Sequence, residues 1–216
     1  MNIVFDATFF GRNYGILLFR ANGKNIYWTE ITSESIEAIS KALDALDSLC
    51  LAGYKSFTID GRRGVLQLLE ERYRTVPIQL CQYHQKQIVV RYNTRNPKTE
   101  CGKSLKLLVS HITTIHPIKF QIRFQITKVL FDGFLKEKNE NNKFVHTRLR
   151  SAFRSLKANM PYLFTTNNYP ELSIPNTTNS CEGYFSHWKH KVKIHRGISK
   201  ERRTHMIYFI LTQNLL

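Results

Sequence analysis

Three β-rich runs joined by tight turns, then a regular alternation of helix and strand, leave residues 1–85 few sheets they can form. Asn2 to Phe10 and Tyr14 to Arg20 are rich in strand formers and are separated only by Gly11-Arg12-Asn13. Asn22-Gly23, a strong hairpin signal, leads into a third run, Ile26 to Ile31. These three make an antiparallel meander. Thr32-Ser33-Glu34 then starts a helix whose apolar positions Ile36, Ile39, Leu43, Leu46 and Leu49 follow the helical period, and Gly53 ends it. Tyr54 to Ile59 reads as a strand, Arg62 to Tyr73 as a helix and Val76 to Leu80 as a fifth strand. The last two strands are reached through helical crossovers and so add in parallel. The expectation is an α/β fold built on a mixed five-stranded sheet flanked by helices.

The pattern changes after about Gln85. Glycine and proline become scarce, and apolar residues recur at helical spacing in three sets: Leu105 to Ile112, Phe120 to Phe134 and Val145 to Leu156. Three helices are expected, with a polar break at Asn139–Asn142. Charge divides the chain in the same way. Residues 1–85 carry nine basic and nine acidic side chains, whereas residues 86–159 carry sixteen and four. The chain therefore reads as a sheet module over 1–85, a basic all-α insertion over 86–165, and C-terminal helices over 166–216 that complete the core. A net charge of +16 points to a polyanionic partner, most simply nucleic acid, held by contacts that weaken with salt. No membrane partner is expected, because the longest apolar runs are too short to span a bilayer. The four cysteines show no regular spacing and no basic-then-apolar leader opens the sequence, which suggests a cytoplasmic protein located with DNA, in the nucleoid if the cell is prokaryotic.

Three carboxylates have placements that ask for a reason. Asp6 lies inside a strand, where aspartate is depleted. Asp60 ends the fourth strand. Glu182 follows Asn176-Thr177-Thr178-Asn179-Ser180, a run of helix-capping types, with Asn179 or Ser180 as the expected cap and Glu182 in the first helical turn. If the first and fourth strands are neighbours, Asp6 and Asp60 face each other, and adjacent carboxylates repel unless a cation lies between them. Glu182 would complete an oxygen-rich site for two Mg²⁺ or Mn²⁺ ions. Cys81-x-x-His84 is half of a zinc pattern, and His187-x-x-His190 could formally supply the other half. Packing or hydrogen bonding near the site is the expected role of Cys81 and His84, and zinc is not expected. Asn179, His187, Trp188, Lys189, Lys191, Lys193 and Arg196 mix cations with an aromatic and suit backbone phosphates and an unstacked base.

The segments VFDATFFGR, TIDGRRG, CQYHQ, PNTTNSCEG and HRGIS together resemble the catalytic core of Mutator-type DDE transposases. The resemblance implies a ribonuclease H-like fold with an all-α insertion before the catalytic glutamate, and Asp6, Asp60 and Glu182 as its catalytic and metal-binding triad. It places Cys81 and His84 in the Cys-x-x-His motif that follows the second aspartate. It further implies metal-dependent DNA cleavage and strand transfer, element ends and target DNA as partners, and a homodimer or higher oligomer on DNA. Members of the family carry a DNA-binding region before the first aspartate, and only five residues precede Asp6 here. Terminal-repeat recognition is thus expected from outside this chain, and the alternative is an inactive or truncated DNA-binding remnant. Cys181 stands where an aliphatic residue is expected. A tyrosine recombinase using Tyr208 is disfavoured because no His-x-x-Arg spacing occurs.

Overall fold

The structure, a computed structural model, describes residues 1–49, 53–194, 197 and 199–213, with the backbone alone at 193, 194 and 200. Cys50 therefore lies outside the described residues. The expected strands form one sheet: β1 (Asn2–Phe9), β2 (Gly15–Ala21), β3 (Lys24–Ile31), β4 (Ser56–Ile59) and β5 (Ile78–Leu80), in the order β3-β2-β1-β4-β5. The first three pair antiparallel as a meander, and β4 and β5 add in parallel beside β1. Asn22 and Gly23 both take positive φ at the β2–β3 turn, which is the conformation their hairpin signal calls for.

Alternation along the strands sends side chains to two separate cores. Ile3, Phe5, Leu17, Phe19, Phe57 and Ile59 join one cluster with α1 (Ile36–Leu49) and α2 (Arg63–Arg72). Ser35, rather than Thr32 or Ser33, caps α1, its hydroxyl accepting from the Ala38 amide at 3.1 Å. Val4, Ile16 and Leu18 face the other way.

The middle of the chain is helical: α3 (Gln82–Asn93), α4 (Glu100–Ser110), α5 (Pro117–Leu130), α6 (Asp132–Lys136) and α7 (Thr147–Leu163), then the short α8 (Thr165–Asn168) and a 3-10 turn at Pro170–Leu172. The third periodic set forms α7, and the first forms α4. The second set breaks at Phe131 into α5 and α6 instead of running on to Phe134. The helix absent from the apolar pattern is α3. Its buried positions include Gln82, Gln85 and Asn93, so a helix whose inward face is largely amide leaves no hydrophobic period to read. Their amide N–H groups find partners inside the protein: Gln82 donates to the Leu163 carbonyl at 2.7 Å and Asn93 to that of Gly102 at 2.6 Å, although the Gln82 oxygen has no partner among the described residues. Residues of α4, α5 and α7 enter the same cluster as the sheet, so these helices share its core.

The chain returns to the second face of the sheet through α9 (Asn179–Ile194) and α10 (Lys200–Thr212). Cys181, Phe185, Trp188, Ile207, Ile210 and Leu211 close over Val4, Ile16 and Leu18. No helix among the described residues is long and apolar enough to cross a membrane.

Candidate active site

Register places the two aspartates. In the parallel pair β1–β4, Ile3 is opposite Phe57 and Val4 opposite Thr58. Continued two residues further, that register sets Asp6 level with Asp60, just where β4 ends. The period of two turns Asp6 to the same face as Val4, and Asp60 to the same face as Thr58. That face is the one α9 covers.

Several contacts fix α9 there. The Cys181 thiol lies 3.7 Å from the Val4 carbonyl, and Cys181 is fully buried, as suits a small apolar residue. The Arg20 guanidinium, buried in β2, donates to the carbonyls of Ser180 and Gly23 and stacks 4.3 Å over the Tyr184 ring. The loop before α9 runs across the ends of β4 and α3: Thr58 donates to the Pro175 carbonyl at 2.7 Å and the Gln82 amide to that of Asn176 at 3.0 Å. Glu182 thereby reaches the carboxylate end of the sheet from the first turn of α9.

The cap of α9 is Thr178, not Asn179 or Ser180. Its carbonyl accepts from the amides of Cys181 and Glu182 at 2.8 and 3.1 Å. Its buried hydroxyl lies 3.4 Å from Cys81 Sγ, 3.3 Å from His84 Nδ1 and 3.2 Å from Glu182 Oε1. The hydroxyl proton serves the sulfur and the carboxylate in turn, and the hydroxyl oxygen accepts from Nδ1 of the charged His84. Thr178 thus joins the Cys-x-x-His motif to the glutamate, a role hidden in a sequence where it is one of five capping residues in a row.

Cys81 caps α3, its sulfur accepting from the amides of His84 and Thr178 at 3.4 and 3.3 Å. Burial works against the thiolate, but bonds from His84 and Thr178 outweigh it and hold the thiol below its ordinary range. His84 is pushed up to about 9, first by its bond with Cys81 and then, against burial, by the charges of Cys81, Asp6 and Glu182. Its Nε2 lies 3.5 Å from Glu182 Oε1. Burial raises the Asp6 carboxyl to about 7; His84 and a bond from the Ala7 amide (2.8 Å) oppose this, and the charge of Asp60 adds to it. Asp60 accepts from the Arg62 amide at 3.2 Å.

A fourth carboxylate belongs to this group. Glu34, just before α1, is raised by burial and by the charge of Asp60, and pairs with Arg62 at 2.8 Å. Nothing in the sequence marks it, because a glutamate at a helix start is ordinary.

Cys81, His84 and Glu182 have ligand atoms within 4.8 Å of one another, and are the group among the described residues close enough to share an ion. His187 and His190, weighed as the other half of a zinc site, are exposed on α9 and take no part in it. The residues expected against DNA separate. Asn179, His187, Lys189 and Lys191 are exposed on α9. Trp188 is fully buried in the second core, and so is no platform for a base. The side chain of Lys193, and Arg196 altogether, lie outside the described residues. No protein-family model matches this chain, and no curated protein matches it.

Proposed function

We propose that this chain is the catalytic core of a DDE-type DNA transposase with a ribonuclease H-like fold, cutting DNA strands and joining them with a divalent metal. The observation that carries the reading is Asp6 and Asp60 level on neighbouring parallel strands, with Glu182 delivered to the same face by α9. A three-strand meander extended by two parallel strands supports it, as does the basic helical segment lying between Asp60 and Glu182 in the chain.

Three carboxylates would suit a hard cation, although the ligand atoms within 4.8 Å of one another are those of Cys81, His84 and Glu182. A buried carboxyl held near neutrality beside a second carboxylate is the environment that a divalent ion relieves, and oxygen ligands favour Mg²⁺ or Mn²⁺. Such ions would activate the attacking hydroxyl and stabilise the leaving oxygen of a phosphodiester. Asp6, Asp60 and Glu182 would hold them. His84, charged and hydrogen-bonded behind Glu182, orients that carboxylate through Thr178. The exposed cations of α9 run on from Glu182 and suit the DNA backbone.

Nicking of supercoiled plasmid should require Mg²⁺ or Mn²⁺ and fall by on the order of 10³-fold in Asp60→Asn and in Glu182→Gln, with the circular dichroism melt unchanged. Full activity in either variant would sink the triad. DNA binding that depends on salt but not on metal, with no Mn²⁺ uptake by calorimetry, would favour the inactive remnant.

A second reading has its own observation, the Cys81–His84–Glu182 cluster, whose thiolate and imidazole suit a softer ion such as Zn²⁺. Under it, Cys81→Ala abolishes Zn²⁺ uptake and leaves Mn²⁺ uptake intact, while Glu182→Gln weakens both. Loss of Mn²⁺ uptake in Cys81→Ala would instead show that the two sites are one.

A further inference from the structure

The outer face of α5 is apolar in a chain that is otherwise strongly basic. Ile118, Ile122, Ile126, Val129 and Leu130 are each 53–75% exposed. Their spacing of three and four residues puts them on one stripe, opposite the buried Phe120 and Phe124. Contiguous aliphatic surface of this kind marks an interaction site on a soluble protein.

The stripe borders a groove between α5 and α7. One hollow, about 530 Å³, is lined by Ile122, Phe124, Ile126, Met160 and Pro161. A second, about 220 Å³, has Phe124, Leu135 and Phe153 in its lining. Phe124 and Lys157 border both, so the two are adjacent. Lys128, Arg154 and Lys157 line the groove without a carboxylate partner among the described residues. Its own carboxylate, Asp132, is taken by Lys136 at 2.6 Å.

We infer that this groove docks an acidic amphipathic helix of a protein partner, with apolar side chains in the hollows and carboxylates against Lys128, Arg154 and Lys157. The charge complement is the argument for acidity. The sequence of α5 contains three cations and no acid, so packing this face against the same face of a second copy would set like charges together. DNA would answer the cations but leave five aliphatic side chains uncovered, whereas an amphipathic helix covers them at its own period. The inference stands apart from the catalytic reading, because none of these residues belongs to the carboxylate site.

The test is fluorescence anisotropy with a synthetic helix of about five turns, leucine along one stripe and glutamate on both flanks. Its controls are a scrambled peptide of the same composition, a lysine-for-glutamate peptide and a labelled DNA duplex. The acidic helix should bind with Kd on the order of 10 µM and both peptide controls far more weakly. Binding should weaken by at least about tenfold in Ile122→Ser/Ile126→Ser and in Lys157→Glu. These sites are exposed, so the folded far-ultraviolet spectrum should persist, and duplex affinity of the isoleucine variant should be unchanged. Equal binding of the scrambled peptide, or no binding of the acidic helix, overturns the inference. An equal loss of duplex affinity in the isoleucine variant assigns the face to DNA. A wild-type dimer that the isoleucine variant splits, with no peptide binding, assigns it to a second copy.

Discussion

Asp6→Asn is expected to abolish metal-dependent cleavage and, in the same protein freed of metal, to raise the free energy of unfolding at neutral pH. The two effects share one cause. Burial lifts the Asp6 carboxyl from 3.8 to about 7. A folded-state pKa above the unfolded one means that the folded protein holds the proton more tightly. The associated stability is complete below about pH 4 and is lost as pH rises through 7. About three units correspond to at most roughly 4 kcal/mol, so a gain of about 2–4 kcal/mol is expected when asparagine removes the charge. Asparagine keeps an oxygen to accept from the Ala7 amide. Urea unfolding in EDTA at pH 5 and 8 reads the effect: the variant should gain little at the first and most at the second. Mn²⁺ should stabilise wild type and leave the variant unmoved. A variant that is less stable at pH 8, or that keeps the wild-type pH slope below 7, would remove Asp6 from the site as described.

His84 acts in the same direction at higher pH. Its folded pKa of about 9 exceeds the ordinary 6.5, so the stability it lends is present below 6.5 and disappears as pH passes 9. Metal-free wild type should therefore weaken steadily from mildly acidic to alkaline solution, and Asp6→Asn should cancel the acidic part of that decline.

Trp188→Ala is expected to cost about 3–5 kcal/mol and to loosen the packing of α9 and α10 on the sheet. The ring is fully buried, 4.5 Å from Tyr184 and 5.6 Å from Phe185 by centroid, and the second core closes around it. Trp188→Phe should cost much less, since it keeps most of the apolar volume and deletes an indole nitrogen that has no hydrogen-bond partner among the described residues. Thermal melts measure both, and DNA affinity measured beside them decides the role. If Trp188 stacked on a base, Trp188→Phe would weaken DNA binding while leaving the melt alone. The expected result is the reverse, a modest shift of the melt with unchanged affinity at equal salt.

The burial of Trp188 was open to a reading of the chain. Cys181, Phe185 and Trp188 recur at helical spacing, and that period outranks the lysines beside them. An aromatic among cations suggested DNA, although Lys189 and Lys191 are exposed on α9 while Trp188 is buried. With α3 the difficulty was of another kind. Gln82 and Asn93 are buried where α7 and α4 offer carbonyls to them, Gln85 donates to the Ser155 hydroxyl and accepts from the Asn159 side chain, and no local pattern announces partners on other helices.

What the sequence determined by itself is the sheet and its loading: strands and turns in order, Asp6 within the first strand, Asp60 at the end of the fourth, Glu182 at a helix start, and the excess charge in the helical middle. These rest on period, turn chemistry and composition, which act over a few residues. Tertiary structure alone decided that Thr178 binds Cys81, His84 and Glu182 together, that Glu34 joins the carboxylates, and that Arg20 holds the start of α9. Each of these depends on side chains from distant segments meeting in a low-dielectric space. Glu182 needed both: its place in the first turn was legible locally, but its approach to Cys81 and His84 depends on α9 burying Cys181, Phe185 and Trp188 against β1 and β2.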